Sequence, residues 1–262
     1  MNIKSNPDII VSLTSFPEAI PYAIKAILSI INGSILPNKI VLYLDTDKFP
    51  EGKIPYELEN LKRQYNILDI RFNPMDIRSY KKLIPALKDF PDDIIVTIDD
   101  DIAYHKHMLR NLVMWHKKHP TSIIANRVRK AILHKPYRFW RKYKWYDFIF
   151  NRSIKHHLSM QTGVGGVLYP PHSLDEKMLD PDLFMTIAPT TDDIWFWTAA
   201  ISQGTYVIPV PRWQPKLIEI GKPLNLALKN INLKQNDDKN LKALEAIMKH
   251  FPHIKSILEK EK

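Results

Sequence analysis

Over the first hundred residues, short apolar runs alternate with stretches of helical period. Asp8 to Leu13 (DIIVSL) predicts a buried strand, and Glu18 to Ile31 a helix with Ile20, Ala23, Ile24, Ile27, Leu28 and Ile31 on one face. Lys39 to Leu44 predicts a second strand, Tyr56 to Tyr65 a helix, Ile67 to Phe72 a third strand, Tyr80 to Lys88 a short helix, and Asp93 to Ile98 (DIIVTI) a fourth strand. This alternation implies right-handed crossovers and a mainly parallel sheet covered on both faces. Further on, helices are expected over Lys106 to Lys118, from Thr191 to Gln203, and from Asn236 to His250, with a break at Pro252 and a short charged helix after it; Tyr206 to Val210 reads as a late strand.

In a parallel sheet, ligands bind beyond the carboxyl ends of the strands. The four predicted strands run out into Thr14-Ser15, Asp45, Asn73 and Asp99-Asp100-Asp101, so polar side chains collect on one rim. If Asp99 and Asp101 continue the strand they point to one side, about 6–7 Å apart, with Asp100 turned away. Like charges at that spacing repel by about 2–3 kcal/mol. A hard divalent cation between them removes the conflict; the alternative is a solvated loop whose acids cap the next helix. Asp192-Asp193 heads a later helix, as a cap or as a general base. Three of the seven glycines fall within Gly163 to Gly166, a tight turn or a loop against which a sugar packs. Lys81 and Lys82 are either solvated or placed to neutralise phosphate on the same rim.

Composition narrows the chemistry. The 262 residues include no cysteine, which excludes disulfides, thiolate metal sites and a cysteine nucleophile. There is no GxxxxGK[ST] and no GxGxxG, and the first strand–helix turn, Thr14-Ser15-Phe16-Pro17, has no glycine; a nucleotide must be held by side chains and metal. The ten histidines form no tight ligand spacing. The formal charge is +10, and Arg127 to His157 alone carries ten basic residues against one acid, Asp147. Tyr137, Phe139, Trp140, Tyr143, Trp145, Tyr146, Phe148 and Phe150 are interleaved with them. Such a segment fits an anionic membrane surface or single-stranded nucleic acid, or is a basic face over core aromatics. No apolar run approaches the ~18 residues of a membrane span, and the N-terminal residues lack a signal-peptide pattern. The expected location is the cytoplasm, at the inner face of the plasma membrane if the basic segment engages lipid.

Taken in order, Val11–Pro17 (VSLTSFP), Lys81–Leu87 (KKLIPAL), Ile95–Asp101 (IVTIDDD) and Thr191–Asp193 resemble a bacterial GT-A fold glycosyltransferase of the DxD type, over residues 8–215. The resemblance implies an α/β, Rossmann-like, mainly parallel central sheet flanked by helices. It implies a single domain over 1–262, with a nucleotide-sugar half (1–105), an acceptor half (106–235) and a helical tail (236–262). It further implies Mn2+ or Mg2+ on Asp99 and Asp101. Thr14, Ser15, Phe16, Asp45, Lys81, Lys82, Asp99 and Asp100 would hold the nucleotide, and Gly165, Gly166 and Trp195 the acceptor. Asp193 or Asp192 would be the base. The implied reaction moves a sugar from a nucleotide sugar, with a UDP-sugar the expected donor, to a hydroxyl of a cell-envelope glycan such as lipopolysaccharide or of a lipid-linked acceptor. Inversion follows from a single displacement, and no nucleic-acid partner is expected. Two other readings compete. A metal-dependent phosphoesterase or nuclease fits the acids and basic surface but lacks a dense His/Asp two-metal pattern. A non-enzymatic nucleic-acid or membrane binder leaves Asp99 to Asp101 without a task.

Overall fold

A computed structural model describes residues 6–143, 147, 156–211, 218–221, 233–234 and 237–261. Strands β1 (Ile9–Thr14), β2 (Lys39–Asp45), β3 (Leu68–Asn73) and β4 (Ile94–Thr97) alternate with helices α1 (Ile20–Ile31), α2 (Tyr56–Gln64) and α3 (Ile84–Asp89). They pair in parallel in the order β3-β2-β1-β4. The helices expected over 18–31 and 80–88 each begin as a separate 3-10 segment, Pro17–Ala19 and Arg78–Lys82. Pro21 and Pro85 stand in the first turn of α1 and α3, where a missing N–H breaks no hydrogen bond, so the α-helix restarts there.

Beyond β4 come β5 (Ile102–Ala103), α4 (Met108–Lys118), β6 (Ile123–Ala125), β7 (Val128–Lys130), β8 (Arg141–Lys142), β9 (Ser159–Gln161) and β10 (Val167–Tyr169). They are followed by α5 (Pro181–Ile187), α6 (Asp192–Gln203), β11 (Val207–Pro209), β12 (Ile218–Glu219), α7 (Lys239–His250) and α8 (Pro252–Lys260). Strand β10 lies antiparallel between β4 and β6, and β11 joins parallel to β6. The result is a seven-stranded sheet, β11-β6-β10-β4-β1-β2-β3, in which β10 runs against the rest. A second small sheet is ordered β8-β7-β9, and β5 pairs with β12.

Successive residues of the central strands serve opposite layers, as the pleat requires. Val11, Leu42 and Val96 pack with Ala23, Ile27, Leu58 and Leu112 of α1, α2 and α4. Ile10, Val41 and Ile95 face the layer that includes Ile84, Trp197, Leu244 and Ile254 of α3, α6, α7 and α8. Helix α6 is apolar all round, with every residue from Ile194 to Ile201 buried, as befits a helix inside a layer. It packs against α7 and α8 and stops at Gly204, whose φ of 78° is left-handed.

The basic aromatic segment divides. Trp140 is core and stacks edge-on to Trp197; the Tyr143 hydroxyl is bonded to His156 and Ser159; Phe139 stays 55% exposed. Lys144, Trp145, Tyr146, Phe148, Phe150, Arg152 and Lys155 lie outside the described residues. Among the described residues, no helix is long and apolar enough to cross a membrane.

Candidate functional site

Strand order reverses between β1 and β4, the place where an open parallel sheet leaves a crevice beyond its carboxyl edge. Ser15 follows β1 and Asp100 follows β4; the Ser15 hydroxyl donates to Asp100 Oδ2 at 2.7 Å, both buried, and fastens the two strand ends together. The triple aspartate is a turn, because β4 ends at Thr97. In that turn the Asp99 N–H donates to the buried Tyr104 hydroxyl at 2.8 Å, and the Asp101 carbonyl accepts from the Ile220 N–H just after β12. Asp100 thus points inward, while Asp99 and Asp101 remain partly exposed. Thr14 Oγ1 donates to the Tyr43 carbonyl, and Phe16 is half-buried at the same edge.

The 3-10 segment Arg78–Lys82 brings a cation to this rim. Buried Tyr80 anchors it by stacking on Phe184 at 4.1 Å and donating to the Ala188 carbonyl at 2.6 Å. Its neighbours then meet the head of α6: Ser79 Oγ donates to Asp192 Oδ1 at 2.9 Å, and Lys82 Nζ lies 3.0 Å from both Asp192 Oδ2 and Asp99 Oδ1. Asp193 Oδ1 accepts the Gly163 N–H at 3.0 Å. Neither aspartate caps α6; its N-cap is Thr191, without a side-chain cap bond. Acids more than ninety residues apart therefore gather around one ammonium.

Burial shapes the electrostatics here. Desolvation, with the charge of Asp192 and then Asp99 added, outweighs Lys82 and the Gly163 N–H and pushes the Asp193 carboxyl up to about 7. For Lys82, burial favours the neutral amine, but Asp192, Asp99 and Asp193 together reverse this and hold it well above the ordinary lysine value. The buried Tyr80 and Tyr169 hydroxyls are raised, by desolvation first and by neighbouring carboxylates second. Lys82 stays charged, while Asp193 can exchange a proton near neutrality.

Gly163 is a site residue that the sequence reading passed over in favour of its neighbours. A methyl group there would sit 2.6 Å from Lys82 Nζ, 3.2 Å from Asp193 Oδ1 and 3.5 Å from Asp99 Oδ1. Gly163→Ala is therefore expected to displace the lysine and lower activity about tenfold or more while the fold persists. Turnover measured beside a thermal melt checks this; unchanged turnover would refute the placement.

Several expected ligand contacts are committed elsewhere. Lys81 and Asp45 form a buried ion pair, extended by Asp76 and Lys48: Lys81 lies 3.5 Å from Asp76, and Lys48 lies 3.0 Å from Asp45 and 2.7 Å from Asp76. The Lys81 charge is thus neutralised inside the protein. Trp195 is fully buried, its indole N–H bonded to the Met178 carbonyl at 2.7 Å, and presents no surface to an acceptor. Gly165 and Gly166 serve packing: a Cβ on Gly165 would lie 2.8 Å from the Arg127 Cβ, and Gly166, at φ 82°, abuts Met108. Ser79 and Tyr104 were missed as well; only their nearness to Lys81-Lys82 and to the triple aspartate marked them.

Among the described residues, no three His, Asp or Glu side chains converge as a self-sufficient metal cage. The oxygens of Asp99 and Asp101, partly exposed around Tyr104, are of the type a hard cation takes. They suit a cation that completes its shell with water and substrate phosphate.

No family model and no curated protein matches this chain. Two solved structures are similar to it. TarS (1–349) of S. aureus superposes with a TM-score of 0.50 at 10% identity, covering 79% of this chain and 59% of that one, so the present chain spans less than two thirds of its length. The mannosyltransferase PcManGT from Pyrobaculum calidifontis, in complex with GDP-Man and Mn2+, superposes with a TM-score of 0.54 at 13% identity, covering 98% of this chain and 75% of that one. The chain has the mixed α/β fold of GT-A glycosyltransferases, a mainly parallel sheet flanked by helices.

Proposed function

We propose that the protein is a nucleotide-sugar-dependent glycosyltransferase with Asp193 as general base. The observation that carries this reading is the half-buried Asp193 carboxyl, poised near neutrality and fixed by the Gly163 N–H beside Lys82 and Asp99. A base matched to the working pH gives the best compromise between being deprotonated and being basic. The fold supports the same reading, and one similar structure holds GDP-Man and Mn2+. The acceptor hydroxyl attacks the anomeric carbon, its proton passes to Asp193, and the sugar–phosphate bond breaks with its electron pair kept by the leaving diphosphate. One in-line displacement inverts the anomeric carbon. Asp99 and Asp101 are the residues that would hold Mn2+ or Mg2+, and such a cation supplies charge neutralisation on the diphosphate. Lys82 keeps Asp99 and Asp192 paired, and the Ser15–Asp100 bond fixes the turn that presents Asp99 and Asp101.

Because chain and substrate would share the cation, neither should bind well without the other. Mn2+ alone, or UDP or GDP alone, is expected to leave the melting temperature nearly unchanged, while nucleotide and Mn2+ together raise it by several degrees. The preferred nucleotide identifies the donor class. If neither nucleotide gives a joint rise, and neither is released from its sugar in the presence of Mn2+, the transferase reading is lost.

A further inference from the structure

We infer that the acceptor carries a phosphate group, bound by Arg127 and Arg129 next to Asp193; this rests on the proposed role of Asp193 as acceptor-side base. Arg127 follows β6 and is locked to the turn that holds Asp193. Its carbonyl accepts the Thr162 N–H at 2.9 Å and the Thr162 hydroxyl at 3.2 Å, and Asn126 Nδ2 donates to the Gly165 carbonyl at 3.0 Å. The absent side chain of Gly165 lets the Arg127 backbone lie directly against the turn. Arg127 is thereby held across the turn from the Gly163 N–H that binds Asp193. Two residues on, Arg129 donates from Nη1 to the Trp140 carbonyl at 2.8 Å and sets its guanidinium 4.6 Å over the Tyr137 ring.

Both arginines are incompletely used. The Nε of each is buried without a hydrogen-bond partner, and neither forms an ion pair with a carboxylate among the described residues. A buried charged donor without an acceptor is costly, and guanidinium pairs suit the oxygens of a phosphate. The Tyr137 hydroxyl lies within electrostatic reach of both and of Asp193: burial pushes it up to about 12, Arg129, which also hydrogen-bonds it, and Arg127 oppose this, and Asp193 adds to it. One hydroxyl thus feels both guanidinium groups and the base. Lys82 cannot take the same part, since its charge is spent on Asp99 and Asp192. An uncharged glycan would leave this donor set without a task.

The test is a calorimetric titration of the full chain with glycerol phosphate in EDTA, which removes any metal-assisted site at Asp99 and Asp101. Saturable binding is expected, weakened at least about tenfold in R127Q and in R129Q and partly restored in R127K, with glycerol itself not binding. No saturable binding, or equal affinity in wild type and both glutamine variants, overturns the inference. A second measurement needs no variant: with saturating UDP or GDP and Mn2+, glycerol phosphate should still bind, whereas its displacement would assign the arginines to the donor diphosphate and overturn it too. Vesicles of phosphatidylglycerol that compete point to a lipid-borne phosphate, and vesicles that do not point to a soluble one; either supports the site. Nucleotide binding with Mn2+ is followed in the same samples, so failure of the transferase reading shows there while the phosphate isotherm still decides the arginine site.

Discussion

Asp193→Asn is expected to lower sugar transfer by about 10²–10⁴-fold while stabilising the fold at alkaline pH. The loss follows from removing the proton acceptor, since asparagine keeps the shape and still accepts the Gly163 N–H. In the wild type only the carboxylate form is a base, so the rate should fall about tenfold per pH unit below the value near 7 that burial and Asp192 give this group. Stability moves the other way. In the unfolded chain an aspartate titrates near 4, so between about pH 4 and 7 the folded protein keeps a proton that the unfolded chain has released. The contribution of this group is complete below about pH 4 and is lost as pH rises through about 7. At pH 8 the partly buried charge opposes folding, and the neutral amide should relieve on the order of 1–3 kcal/mol there and almost nothing at pH 4. Melting curves and pH–rate profiles of the two proteins check both halves. A variant that is inactive yet equally destabilised at both pH values would indicate a structural defect instead of a missing base.

Lys82→Met should be the most destabilising single substitution at the site. Methionine keeps the unbranched apolar stem but leaves Asp99, Asp192 and Asp193 without their shared counter-charge. Breaking a buried ion pair on one side typically costs about 3–5 kcal/mol, which for a chain of this size lowers the melting temperature by roughly 10 °C. The deficit should shrink at pH 4–5, because the orphaned carboxyls take up protons more readily than in the unfolded chain. Chemical denaturation at pH 7.5 and pH 4.5 measures this; a cost below about 1 kcal/mol at pH 7.5 would mean that water already compensates the acids.

Much of the architecture was legible because local pattern and long-range order agree for the first hundred residues. The four leading strands fall within a residue or so of their expected bounds, since β1, β2 and β4 are apolar runs rich in β-branched residues and β3 alternates apolar with polar ones. That Asp99 follows a strand and Asp192-Asp193 opens a helix was legible, because each cluster of acids borders an apolar run. What stayed hidden depends on contacts between distant segments. Nothing local turns Lys82 inward; that follows from Tyr80 finding Phe184 and Ala188 about a hundred residues away. Trp195, expected from the resemblance to meet the acceptor, lies in a helix apolar on all sides, and the layer of α7 and α8 makes it core. In the glycine cluster, composition marked the turn but not which member faces the acids; only the approach of Lys82 and Asp193 selects Gly163. The helix Pro181–Ile187 escaped notice although Asp180 caps it through the Asp182 N–H, because seven residues are too few to establish a period.

The reversed direction of β10 also constrains how the chain assembles. β1 to β4 pair with one another within the first hundred residues, so this part of the sheet can form before the rest is synthesised. By contrast, β6 borders only β10 and β11, both encoded downstream. Its Ile123, which faces the layer of α6 to α8, must wait until the polypeptide has returned, and closure of that long excursion is the slow, topologically demanding event in building the sheet.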